Sequence, residues 1–105
     1  MRTCEIQFVN EKIKKSFEEL NEKTLKNQLE RVLCDIKENP FCGIQIPKRL
    51  IPKDYAKKND IHNLWKYNLP GAWRLLYSIK GGEAIIITII LDWMDHKTYE
   101  KMFGY

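Results

Sequence analysis

Residues 64–93, LWKYNLPGAWRLLYSI followed by KGGE and AIIITIILDW, decide the fold. Two apolar runs separated by Gly81-Gly82 read as a β-hairpin, because glycine reaches the positive φ that a tight turn at Lys80–Glu83 demands. The second arm, Ala84 to Leu91, is apolar except at Thr88, the pattern of an inner strand covered on both faces. The first arm alternates: Trp73, Leu75, Tyr77 and Ile79 share one face, with Arg74, Leu76 and Ser78 on the other. A charge in the middle of such a strand is costly unless it meets a groove or an anion. Arg74 is therefore the first candidate functional residue. Upstream, Leu64–Leu69 reads as a further strand, joined to the hairpin by the Pro70-Gly71 turn. Downstream, Asp95, His96, Lys97 and Tyr99 crowd the point where the sheet ends and a short helical turn closes the chain.

The N-terminal half supplies the layer that covers this sheet. Cys4–Val9 alternates enough for a first strand, and Asn10 is placed to cap a helix carrying Ile13, Phe17 and Leu20. After Asn21 a second helix carries Leu25, Leu29, Val32, Leu33 and Ile36 along one stripe, and it stops at Asn39-Pro40. Residues 41–63 are irregular, broken by Pro47 and Pro52, with a short helix expected from Pro52 through Asp54 and Tyr55 to Lys58. The order is β-α-α-β-β-β. It predicts a two-layer α+β domain, an antiparallel sheet of about four strands with two N-terminal helices packed on one face.

At 105 residues the chain makes one domain, and 44% hydrophobic with 30% charged residues is a globular composition. No apolar run approaches the ~20 residues needed to span a bilayer, and the N-terminus lacks the apolar core of a signal peptide. The chain reads as cytoplasmic. Cys4, Cys34 and Cys42 are odd in number and form no CxxC pair, so they are expected to be reduced, and His62 and His96 do not complete a zinc site.

The net charge is +4, and its position is informative. Residues 1–47 hold eight basic and eight acidic side chains, and residues 68–105 hold four of each. The surplus therefore lies in Lys48, Arg49, Lys53, Lys57, Lys58 and Lys66, set against Asp54 and Asp60. Such a cluster is either a solvated lysine face or a track for nucleic-acid phosphates.

The element order, together with LWKYNLPGAWRLLYSI, the glycine turn and the closing DHKTYEKMFGY, resembles the RelE/ParE superfamily of type II toxins, in its RelE-like branch. The likeness is specific from about Trp65 to Tyr105. It implies a toxin that cuts messenger RNA in the ribosomal A site, without a metal or other cofactor, and that is held in check by a cognate antitoxin protein. In such toxins a ribose 2′-hydroxyl attacks the adjacent phosphate, and basic side chains carry the charge stabilisation. By this resemblance Arg74 and Lys66 contact the scissile phosphate. Asn68 stands where the family often has a second lysine, a deficit that Lys97 can fill. Tyr99 matches the C-terminal tyrosine that acts as general base in some members, and His96 matches a histidine used in other branches. An ordinary phenol is a poor base without nearby cations, whereas an ordinary imidazole titrates near neutrality. Which of His96 and Tyr99 takes the proton and which gives it stays open. Lys48, Arg49, Lys53, Lys57, Lys58 and Lys97 are the expected RNA contacts.

Each of these residues has a structural reading as well. Arg74 can pair with Asp92 or Asp95, His96 can cap a helix or strand end, and Tyr99 and Phe103 can pack back onto the sheet. Two other functions compete with RNA cleavage. One is a ParE-like toxin that inhibits gyrase by protein contact, and the other is a degenerate toxin that binds only antitoxin or RNA.

Overall fold

A computed structural model describes residues 3–81 and 85–104. It contains β1 (Thr3–Phe8), α1 (Glu11–Glu18), α2 (Lys23–Glu38), β2 (Ile44–Ile46), α3 (Lys53–Asn59), β3 (Leu64–Leu69), β4 (Trp73–Gly81), β5 (Ile85–Asp95) and α4 (His96–Phe103). Local chemistry sets the boundaries. The Asn10 side chain accepts from the Ile13 N–H at 2.9 Å, the N-cap bond expected of it. Glu22 caps α2 in the same way, accepting from Thr24 and Leu25. At the far end of α2, Asn39 has extended backbone before Pro40. The expected turn at Lys80–Glu83 lies partly outside the described residues, as does Tyr105.

The α+β class is as expected, with four helices and one sheet among the described residues. The sheet differs in detail from the antiparallel one of about four strands that the sequence suggested. It has five strands in the order β1-β5-β4-β3-β2. It is also mixed, because β1 runs parallel to β5 while every other pair is antiparallel. Alternation in a sequence reports faces, not strand direction, and β2 is too short to show a period between its flanking prolines.

Both faces of the sheet are covered. On one, Leu25, Leu29, Val32 and Ile36 of α2 pack against Leu69, Leu75, Tyr77 and Ile90, so the predicted helical stripe is the predicted core. On the other, Leu64, Leu76, Leu91 and Met94 meet Tyr99 and Phe103 of α4, with Leu50, Ile51 and Tyr55 at the margin. Arg74 is on the strand face away from α1 and α2, opposite to that of Leu75 and Tyr77. Among the described residues no helix is long and apolar enough to cross a membrane.

Two contacts fix the β2–β3–β4 edge. Asn63 stands in for a missing stretch of strand: its Oδ1 accepts from Ser78 Oγ and Ile79 N at 3.0 and 2.9 Å, and its Nδ2 donates to Ile79 O at 2.8 Å. The Tyr77 hydroxyl, buried in the helix-side core, donates to Pro40 O and accepts from Gly43 N, each at 3.0 Å. Both bonds anchor the loop that delivers β2.

Candidate functional site

The site forms where β5 passes directly into α4. Asp95 ends the strand and caps the helix, its Oδ1 accepting from the Thr98 N–H at 2.8 Å. Hydrogen bonds from Thr98, its backbone N–H foremost, hold the Asp95 carboxyl below the usual carboxylate range. Because the cap is tight, His96 starts the first turn beside the start of β4, where Trp73 pairs with Asp95. Arg74 lies opposite Met94 in the β4–β5 pairing and opposite Asn68 in the β3–β4 pairing.

Arg74 Nη2 approaches His96 Nδ1 at 3.4 Å, and Arg74 Nη1 donates to Trp73 O at 3.0 Å. A guanidinium can only donate, so His96 Nδ1 is the acceptor and the ring proton sits on Nε2. That Nε2 lies 2.7 Å from Glu100 Oε1, one helical turn further along α4. Arginine, imidazole and carboxylate therefore form a chain across which the histidine tautomer is set. Neither Asp92 nor Asp95 forms an ion pair with Arg74 among the described residues. The Asp92 carboxyl is instead partly buried, and burial raises its pKa.

Lys66 joins this rim from β3. It is paired with Leu76, so it stands diagonal to Arg74 on the same face, at a separation of roughly 7–8 Å. Its Nζ lies 5.1 Å from the centre of the Tyr99 ring, a cation–π contact. Tyr99 is placed differently from the other three. Its ring is 2% exposed and packs against Phe103, the two tilted by 34° with centroids 4.5 Å apart, within the second core. Tyr99 underlies the rim and supports Lys66 there. Burial of Tyr99 and Phe103, at roughly 1.5–3 kcal/mol per large apolar side chain, outweighs the ~0–1 kcal/mol of a partly exposed ion pair. Packing therefore positions α4, and the His96–Glu100 contact orients the imidazole.

Lys48, Arg49, Lys53, Lys57, Lys58 and Lys97 are all exposed. The first five lie on or just before α3, and Lys97 lies on α4 beside His96. Lys58 is 3.9 Å from Asp54, an exposed i,i+4 pair of little energetic weight. Among the described residues no group of three or more His, Cys, Asp or Glu is placed to hold a metal ion. Glu100 is the site residue that sequence reasoning missed. Its signal is the i,i+4 spacing from His96 within the short closing helical turn.

The site can hold an anion between Arg74 and Lys66 and can move a proton at His96 Nδ1 once the guanidinium turns toward that anion. Compared with known proteins, the chain matches no family model, no curated protein and no solved structure.

Proposed function

We propose that this protein is the toxin of a type II toxin–antitoxin pair and cleaves messenger RNA on the ribosome. The observation that carries the reading is the Arg74–His96–Glu100 chain, its imidazole exposed and its ends half-buried, with Lys66 on the same strand face as Arg74. The local likeness to RelE-like toxins supports it.

The geometry is compatible with the following chemistry. A phosphodiester seated between Arg74 and Lys66 draws the guanidinium away from His96, since a phosphate accepts two parallel N–H bonds better than an imidazole accepts one. Nδ1 is then free to take the proton of the ribose 2′-hydroxyl. The 2′-oxygen attacks phosphorus, the bond to the 5′-oxygen breaks, and the leaving oxygen takes a proton from water while His96 later returns its own to solvent, so the products are a 2′,3′-cyclic phosphate and a 5′-hydroxyl. Glu100 stabilises the imidazolium that forms, and Arg74 and Lys66 stabilise the charge gathering on the non-bridging oxygens. Tyr99 carries the ring on which Lys66 rests.

The test is a translation extract in which message 5′ ends are mapped after adding the wild-type protein or its variants. Wild type should create new ends within translated codons. Arg74→Ala should lower cleavage by about 10²–10³-fold, the cost of losing one preorganised donor to a developing oxyanion. Intact message accompanied by inhibited gyrase supercoiling, or a wild-type protein without effect on translation, would overturn the reading.

A further inference from the structure

The two edges of the sheet differ in character. β1 closes one side and carries Glu5, an exposed charge of the kind that keeps an open strand edge from pairing. β2 closes the other, and the stretch around it, PFCGIQIP from Pro40 to Pro47, holds no charge. Phe41 is 51% exposed and Ile44 52%, more than any other large apolar side chain among the described residues. Gln45 is exposed as well. Among those residues β2 pairs only with β3, Ile44 opposite Lys66 and Ile46 opposite Leu64, so its outer backbone N–H and C=O groups meet no strand. Ile44 and Ile46 share one face of the strand, and Gln45 is on the other.

We infer that β2 is a dimerisation edge, pairing antiparallel with β2 of a second copy of this chain about Gln45, so that the sheet runs on through both copies. The strand matches itself. Such pairing sets Ile44 beside Ile46 of the other copy on one face and Gln45 beside its own counterpart on the other. Each exposed Ile44 gains an apolar neighbour across the strands, and the two amides, each both donor and acceptor, can bond to one another. Charge selects a second copy over an unlike strand. Within the paired stretch neither copy sets a charge against the other, whereas a charged strand would place its charges against Ile44 and Ile46. Reversal of direction carries Lys48 and Arg49 toward Cys42 and Phe41 of the other copy and away from their own counterparts. An isologous pair of this kind has its two-fold axis perpendicular to the sheet, so both Arg74 rims open on the same side. Three paired residues on each copy cover far less than the ~800 Å² per partner of a stable interface, so the dimer is weak, with a dissociation constant on the order of 100 µM.

Sedimentation equilibrium of the full chain, from tenfold below that constant to tenfold above it, should show a monomer passing to a species of twice its mass. Each copy carries a net charge of +4, so added salt should tighten the association by screening the repulsion. Ile44→Lys puts a charge against Ile46 of the other copy and should weaken the dimer at least about tenfold without changing the melting temperature. Met102→Lys, at the exposed apolar residue of α4, should leave it unchanged. Register is read by crosslinking. In a chain with Cys34→Ser and Cys42→Ser, Gln45→Cys should form an intermolecular disulfide on mild oxidation, because only the central residue of a two-fold pair meets itself, at the ~4.5–5.5 Å Cα separation a disulfide spans. Ile44→Cys in the same chain should crosslink far less. Arg74→Ala should dimerise as wild type does, so loss of cleavage and loss of the dimer are read apart. A chain that stays monomeric throughout, a dimer that survives Ile44→Lys, or no disulfide at Gln45→Cys would overturn the proposed edge.

Discussion

Gly43 shows how a residue with no side chain constrains the site from a distance. A Cβ built there would run into the Tyr77 hydroxyl and come within 2.6 Å of Lys66 O, closer than such atoms approach. Its N–H is the donor to Tyr77, and Tyr77 in turn holds Pro40, so the three residues lock the entry to β2. Adding one methyl must displace a ring whose side chain is wholly buried or the backbone of β3 at Lys66. Overpacking of this kind costs about 1–3 kcal/mol. Gly43→Ala should therefore lower the urea midpoint by that equivalent. Because the displaced backbone is that of Lys66, cleavage should fall as well, even under conditions where the variant stays folded. A Gly43→Ala protein as stable as wild type would show that the loop adjusts without cost.

At the scale of elements, α4 is the part on which the site most depends, and its cap makes it sensitive to acid. The Asp95 carboxyl is held below its ordinary pKa by the Thr98 hydrogen bonds, so the folded state favours the charged form. Its contribution is full above the unfolded carboxylate value of about 3.9 and is lost as pH falls through the lower folded value. In paired melts, wild type should be more stable than Asp95→Ala by a constant margin from pH 7 down to about 5, and the margin should shrink below about 4. A margin that grows on acidification would contradict the cap. The same helix shows where the sequence could be read and where it could not. The stripe Leu25, Leu29, Val32, Ile36 and the alternation from Trp73 to Ile79 record periods of 3.6 and 2, so α2 and β4 were legible. So was the convergence of Arg74 with His96, because both sit at sheet ends joined by a hairpin. For Tyr99 the sequence leaves a general base and a residue packed back onto the sheet both open, and the structure adds that its ring is buried, at the i,i+4 spacing to Phe103 of a helical stripe. β2 left no pattern, because its three residues become a strand only by pairing with Leu64–Lys66.

Across the whole molecule, charge and chemistry are unevenly placed in the sequence but meet on related surfaces. The site is built from β3, β4 and α4, while the basic surplus lies mostly on the segment containing α3. Leu50, Ile51 and Tyr55 of that segment pack into the same core as Tyr99 and Phe103. The segment is thus anchored to the sheet face that bears Arg74, while its lysines stay exposed. If these lysines track the RNA backbone, each phosphate they neutralise releases condensed counterions, and affinity must fall with salt. Single-stranded RNA gives a slope of about −0.7 in log K against log salt per contact. Replacing Lys53 and Lys57 by Gln leaves the folded core untouched. It should weaken binding of a short single-stranded RNA at low salt and flatten the slope by about 0.7 for each lysine that contacts phosphate. Arg74→Ala should change the slope by no more than a single contact while lowering cleavage by about 10²–10³-fold. That contrast separates a track that gathers RNA from a site that cuts it. A double Gln variant with wild-type slope and affinity would return these lysines to a purely solvating role.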